Sequence, residues 1–176
     1  EAADQRQLDG YDKGTQLGDN VRAIEILKRY GIECYATVIL GVDWDKSDFQ
    51  NLYRFIRANS LAFVNLQPFT PMPGTPYFET YLPSLIIPYE KHEKWDMAHL
   101  VIKPGKISVR KYYFYILSLY YKITMRPQNI LYMCRTYGVI KSLKLSAGAA
   151  RITGQYIQRI LRGDRHEGTA GSTPSA

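Results

Sequence analysis

Apolar positions along the first hundred residues switch between two periods. Val21, Ile24 and Leu27 fall on one helical face, which Ala23 and Ile26 widen. Asp19 or Asn20 is placed to cap a helix that runs to Tyr30, and Gly31 suits its carboxyl-terminal cap. Cys34 to Leu40 then forms an uncharged run with β-branched Thr37, Val38 and Ile39, read as a strand that Gly41 ends. From Lys46 to Asn59 the helical period returns with Phe49, Leu52, Tyr53 and Ile56. Asp45 is the better cap for this helix than Asp43, because Asp48 falls in the first turn and suits the dipole. Leu61 to Leu66 is a second apolar run of strand length. Two uncharged strands joined by a helix predict a βαβ unit whose strands are parallel and buried on both faces.

In βαβ sheets and barrels, ligands lie at the carboxyl ends of the strands. Here those ends are a short acidic turn, Gly41 to Asp45, and a proline-rich loop, Gln67 to Thr75. Pro71, Pro73 and Pro76 either stiffen a crossover or shape a ligand loop. Thr75-Pro76 predicts a short helix over Pro76 to Leu82, stopped by Pro83. Leu85 to Pro88 reads as a short lid, and Ala98 to Ile102 as an extended edge. Pro104-Gly105 is a turn and the expected domain boundary. Beyond it Ser108 caps a helix over Val109 to Thr124, with a stripe of Tyr112, Ile116, Leu119, Tyr120 and Ile123. Pro127 starts another, with Ile130, Leu131, Cys134 and Tyr137 expected inward. Gly138 separates it from a basic helix, Val139 to Leu161, weakened by Gly148 and Gly154. Glu1 to Gln16 reads as polar loop with a short helix near Ala3 to Leu8. Residues 163–176 are small and polar, and disorder is expected there.

Composition changes the picture in two ways. Only two cysteines, Cys34 and Cys134, are present, too few for a disulfide framework or a four-thiolate metal site. Charge is divided unevenly. Residues 1–100 hold 10 Lys and Arg against 14 Asp and Glu, net −4, whereas residues 101–176 hold 13 against 2, net +11. No apolar stretch is long enough to span a bilayer. The chain opens without Met in what reads as the middle of a fold, so it is expected to be the carboxyl-terminal piece of a longer protein.

The order of short strand, Ile-Leu-Gly, acidic turn, helix, strand and Pro71-Met72-Pro73-Gly74-Thr75 resembles the second half of a radical S-adenosylmethionine (SAM) enzyme barrel. Many of these enzymes carry a G-x-I-x-G-x-x-E-like strand end. Here Ile39 and Gly41 match it, while Thr37 and Trp44 stand where the first glycine and the acid would be. Glu1-Ala2-Ala3-Asp4, Leu8 and Lys13 resemble the segment after the fourth strand. Trp95-Asp96-Met97-Ala98-His99, with Pro104 and Ile107-Ser108, resembles the subgroup that adds a cobalamin-binding domain. The likeness covers about residues 1 to 125. It implies an α/β fold: the carboxyl-terminal part of a partial (β/α) TIM-like barrel over residues 1–103, then a basic α-helical extension over 104–162 and a tail.

The same resemblance implies SAM and a 4Fe–4S cluster as cofactors, with cobalamin in an upstream domain. An electron from the cluster would split SAM into methionine and a 5′-deoxyadenosyl radical. The three cysteines spaced C-x-x-x-C-x-x-C that such a cluster needs are not in this sequence. This piece is therefore expected to be inactive alone, with no catalytic or metal-binding residue of its own. By resemblance Ile39 would pack on the adenine, Gly41 would let the backbone approach it, and the backbone near Leu66 and Gln67 would border the ring. Glu1 would face the SAM ribose or its amino acid part. Asp43, Pro71 and His99 would lie on the substrate side. Each has an ordinary reading beside it: strand core for Ile39 and Leu66, a solvated terminal acid for Glu1, turn duty for Asp43 and Asp45, and a packed or surface histidine for His99. His92 and His166 form no ligand pair with His99 at helical spacing.

The reaction expected of the whole protein is methylation, or another radical rearrangement, at an unactivated carbon of a small molecule or lipid. Ferredoxin or flavodoxin would be the reductant. The alternative is a non-catalytic basic module that binds an anionic membrane or an acidic partner. Aliphatics accompany the charges of residues 139–162, which favours a membrane surface over nucleic acid. The expected location is cytoplasmic, with peripheral membrane contact through that helix.

Overall fold

A computed structural model describes residues 5–10, 14 and 16–162 of the chain. Glu1 and the tail 163–176 lie outside them, and the expected Ala3 to Leu8 helix lies partly so. The elements are α1 (Gln5–Gly10), α2 (Leu17–Arg29), β1 (Tyr35–Leu40), α3 (Lys46–Ala58), β2 (Phe63–Pro68), α4 (Pro76–Tyr81), α5 (Val109–Thr124), α6 (Pro127–Tyr137) and α7 (Val139–Arg162). Single 3-10 turns occupy Leu82–Ser84 and His92–Lys94. The fold is α/β, with one two-stranded parallel sheet.

Helix ends follow from local chemistry. Asp45 caps α3, accepting from the Ser47 and Asp48 N–H groups, while Asp48 accepts from the Asp45 N–H at 2.8 Å. Hydrogen bonds from the Ser47 hydroxyl and N–H hold the Asp45 carboxyl below its usual range. The cap is thus complete above the unfolded carboxyl pKa and is lost as pH falls through the lower folded value. Asp45→Ala should lower the urea midpoint at neutral pH, and the gap to the parent should close on acidification.

Helix α2 starts earlier than expected, at Leu17. Asp19 caps it from within the first turn, accepting from the Gln16 N–H at 2.9 Å. Strand β2 starts later than the expected Leu61. Asn59, Ser60 and Leu61 instead close α3: Ser60 adopts φ 48°, its N–H reaches the Arg57 carbonyl, and the Leu61 N–H reaches that of Ile56 at 3.1 Å. This is a Schellman ending, and Leu61, 2% exposed, is its hydrophobic plug. Serine in the left-handed position hid the motif.

The strands pair in register from Tyr35↔Phe63 to Leu40↔Pro68. Alternation sends Val38, Leu40, Leu66 and Pro68 to one face, where all four are buried. Phe49, Leu52 and Ile56 of α3 and Tyr112, Ile116, Leu119 and Ile123 of α5 share this core. The expectation of a sheet buried on both faces is not met. Thr37, Ile39, Asn65 and Gln67 on the opposite face are only partly buried, because no second layer of described residues covers them.

Helix α5 closes the far edge of β2. Leu66 gives its N–H to the Tyr120 hydroxyl at 2.9 Å, and that hydroxyl reaches back to the Leu66 carbonyl at 3.5 Å. Pro68, two residues on, shares that orientation and has no N–H to leave unpaired. Arg126 fastens the α5–α6 corner to the start of β2, donating to the Leu61 carbonyl at 2.6 Å. The outer edge of β1 has no strand partner among the described residues.

Helix α6 is turned differently from expectation. Ile130 and Leu131 are 46% and 50% exposed, while Cys134 and Tyr137 are half-buried. The cause is Glu33, whose carboxylate accepts from the Tyr132 and Tyr137 hydroxyls at 2.6 and 2.7 Å, with both rings edge-on to Phe63. Helix α7 runs through Gly148 and Gly154 without a break. Its distal half docks on α5, where Tyr156 packs between Tyr113 and Tyr120. No helix among the described residues is long and apolar enough to cross a membrane.

Candidate cofactor-binding face

The uncovered face of the sheet brings together two of the residues named from sequence. Ile39 and Gln67 are direct register partners, so their side chains stand side by side on it. Thr37 and Asn65, the preceding pair on the same face, were not named as site residues. Their alternation with Ile39 and Gln67 was the available signal. The four offer an apolar surface beside a carboxamide pair and a hydroxyl, a donor set suited to a purine ring and its polar edge.

Leu66 is placed otherwise. Its side chain is buried among the helices, 2% exposed, and both its backbone polar groups are engaged by Tyr120. Gly41 lies at the carboxyl end of β1. Its carbonyl accepts from the Tyr112 hydroxyl at 2.9 Å, and the Trp44 indole fills the space beside its Cα. A Cβ there would fall 2.5 Å from Trp44 Cδ1 and Nε1. Because that indole also stands edge-on to Phe49 at 5.2 Å, it cannot yield without disturbing the core. Gly41→Ala should therefore cost about 1–3 kcal/mol by overpacking. Tryptophan fluorescence and urea unfolding together check this.

Asp43 is exposed and abuts Gly105, where a Cβ would fall 2.1 Å from its Oδ1. Burial first, and the charge of Asp43 second, push the Tyr81 phenol up. Phe69 packs against Tyr77 and Tyr81 at 5.6 and 5.5 Å, and Pro71 is fully buried. The Leu85 to Pro88 segment folds over this end. Ile87 joins Val101 and Ile102 in a small core against Val42 and Phe69, and Leu85 bridges Ile102 in antiparallel fashion.

His99 lies in a tight turn at the α7 junction. Asp96 accepts from the Ala98 and His99 N–H groups at 2.9 Å and contacts His99 Nδ1 at 2.9 Å. Burial disfavours ionisation of Asp96, but the hydrogen bonds from the His99 ring and these two N–H groups outweigh it and lower its pKa. Arg159 donates to the Ala98 carbonyl at 2.6 Å and lies over the Tyr113 and Tyr156 rings, tying the turn to α7.

A 4Fe–4S cluster does not fit the described residues. Cys34, just before β1, and Cys134, in α6, are both half-buried, and no three described His, Cys, Asp or Glu side chains converge to hold a metal.

The chain is 26% identical over 126 residues to the bacteriochlorophyllide d C-8(2)-methyltransferase of Chlorobaculum tepidum, covering 70% of this chain and 28% of that protein. It is 31% identical over 106 residues to the C-12(1)-methyltransferase of the same organism, covering 59% and 23%. A third relative, the hopanoid C-3 methylase of Methylococcus capsulatus, is 27% identical over 113 residues, covering 64% and 21%. The chain is similar to enzymes of the radical SAM superfamily. It spans about a quarter of the length of these radical SAM relatives, 28% and 23% for the two C. tepidum enzymes. No protein-family model matches it. No solved structure matches it either.

Proposed function

We propose that the chain is the carboxyl-terminal part of a radical SAM barrel with a helical extension, acting in a carbon methyltransferase. One observation carries the reading: Ile39 and Gln67 stand in register on the sheet face that no helix among the described residues covers. In a barrel that face is the interior. The sheet can extend only from β1, because Tyr120 of α5 closes the β2 edge. Further strands and the cluster-binding cysteines would come from a segment outside these 176 residues.

On this reading SAM, bound beside a reduced 4Fe–4S cluster, supplies a 5′-deoxyadenosyl radical. The chain's own residues bind and shield. Ile39 offers the apolar surface for the adenine, and Gln67, with Asn65 and Thr37 beyond, offers hydrogen bonds at its edge. Asp43, Pro71 and the packed Leu85–Pro88 segment border the substrate side and exclude water. The names of the relatives suggest methyl transfer to a tetrapyrrole or polycyclic lipid carbon. Cobalamin, in a domain upstream, would carry the methyl group, and ferredoxin or flavodoxin would reduce the cluster. The test is made on the full-length protein, purified without oxygen and reconstituted with iron and sulfide. Given SAM and dithionite it should form 5′-deoxyadenosine by mass spectrometry. Absence of both bound iron and this product would refute the reading.

A further inference from the structure

Helix α7 is only half attached to the body. Between Val139 and Ile152 every residue whose side chain is described is exposed, except Ser142, which is half-buried. Val139, Ile140, Leu143, Leu145 and Ile152 are 52–74% exposed. Farther along, Ile157 and Leu161 are 44% and 71% exposed, although Tyr156 and Ile160 beside them pack on the core. Val139, Leu143, Ala150, Ile157 and Leu161 lie at i, i+4, i+11, i+18 and i+22, a single line along the helix. At about 1.5 Å per residue this seam is roughly 33 Å long. An isolated helical segment with its aliphatics in water is marginal, so a seam of this length implies a surface that covers it.

Charge decides which surface. Lys144 and Arg151 fall on the flank beside the seam, Lys141 lies on the far side of the helix, and α7 contains no acidic residue. Between Asp96 and Asp164 the chain has none at all. A second copy would set one cationic helix against another and is disfavoured by repulsion. A water–lipid boundary with anionic headgroups satisfies both features. The seam enters the acyl boundary while the long lysine and arginine stems reach the phosphates.

We propose that α7 lies flat on an anionic lipid surface, with the Val139–Leu161 seam inward. This helix would hold the barrel at the membrane face. The inference does not depend on SAM chemistry and is tested separately from it. The full-length protein is sedimented with vesicles of phosphatidylcholine alone, or with phosphatidylglycerol added, at low and high salt. It should sediment with the anionic vesicles only and be released by salt. Lys144→Gln with Arg151→Gln should lower partitioning about 30-fold, near fivefold for each charge. Leu143→Gln with Ile157→Gln should lower it by a similar factor or more. Both pairs are exposed, and unchanged far-ultraviolet circular dichroism verifies folding. Equal binding to both vesicle types, no binding, or binding unaffected by the seam variant would each overturn the proposal. So would a dimer in sedimentation equilibrium that the seam variant dissolves while the parent ignores vesicles; that result would assign the seam to a second copy.

Discussion

Tyr112→Ala should destabilise the chain by about 3–5 kcal/mol, the cost of truncating a fully buried aromatic. Its ring is 0% exposed and stands edge-on to Phe49 at 5.3 Å, in the core between α3, α5 and the strands. Its hydroxyl also holds the Gly41 carbonyl at 2.9 Å, at the end of β1 where the candidate site begins. Tyr112→Phe separates the two roles. It keeps the ring packing and leaves that carbonyl without this donor, for an expected loss of about 1–2 kcal/mol. Urea unfolding of the two variants and the parent measures both. If Tyr112→Phe cost as much as Tyr112→Ala, the hydroxyl rather than the ring would be holding α5 to the sheet.

Ile39→Arg should do the opposite: little to stability and much to cofactor chemistry. Ile39 lies, only partly buried, on the face that α3 and α5 leave uncovered, so replacing it disturbs none of the core those helices share with the sheet. In the assembled barrel the same side chain would project into the space assigned to the adenine. Formation of 5′-deoxyadenosine by the reconstituted full-length protein should fall at least tenfold, about 1.4 kcal/mol in barrier terms. Leu66→Ala is the contrasting variant. Leu66 is buried on the other face, and its loss should cost about 2–5 kcal/mol of stability. Matching effects of the two substitutions would mean that the faces had been assigned the wrong way round.

Much of this division can be read from the chain. The uncharged run at Cys34 to Leu40, the helical spacing of Phe49, Leu52 and Ile56, and the Asp45–Asp48 pair specify a βαβ unit by local rules alone. Ser108 and Pro127 mark the starts of α5 and α6 for the same reason. The difficulties arise where an unusual backbone conformation or a distant partner decides. Leu61 looks like strand but plugs the end of α3, because Ser60 takes a backbone conformation usually left to glycine. Ile130 and Leu131 look like core but face water, because Glu33, 99 and 104 residues away in sequence, holds Tyr132 and Tyr137. The candidate site divides along the same line. Ile39 and Gln67 follow from motif position. That Leu66 faces the helices, and that Asn65 and Thr37 share the open face, follows from the strand register. Tyr120 at the edge of β2 was legible only as one more stripe residue of α5.

Amide hydrogen exchange on the full-length protein, with and without SAM, tests the central claim most directly. If the open face of β1 and β2 binds the cofactor, SAM should slow exchange in peptides covering Tyr35–Leu40 and Phe63–Pro68 and in the Gly41 turn. Peptides from α6 and the proximal half of α7 should not change. Protection confined to other parts of the protein, with both strands unaffected at saturating SAM, would contradict the account.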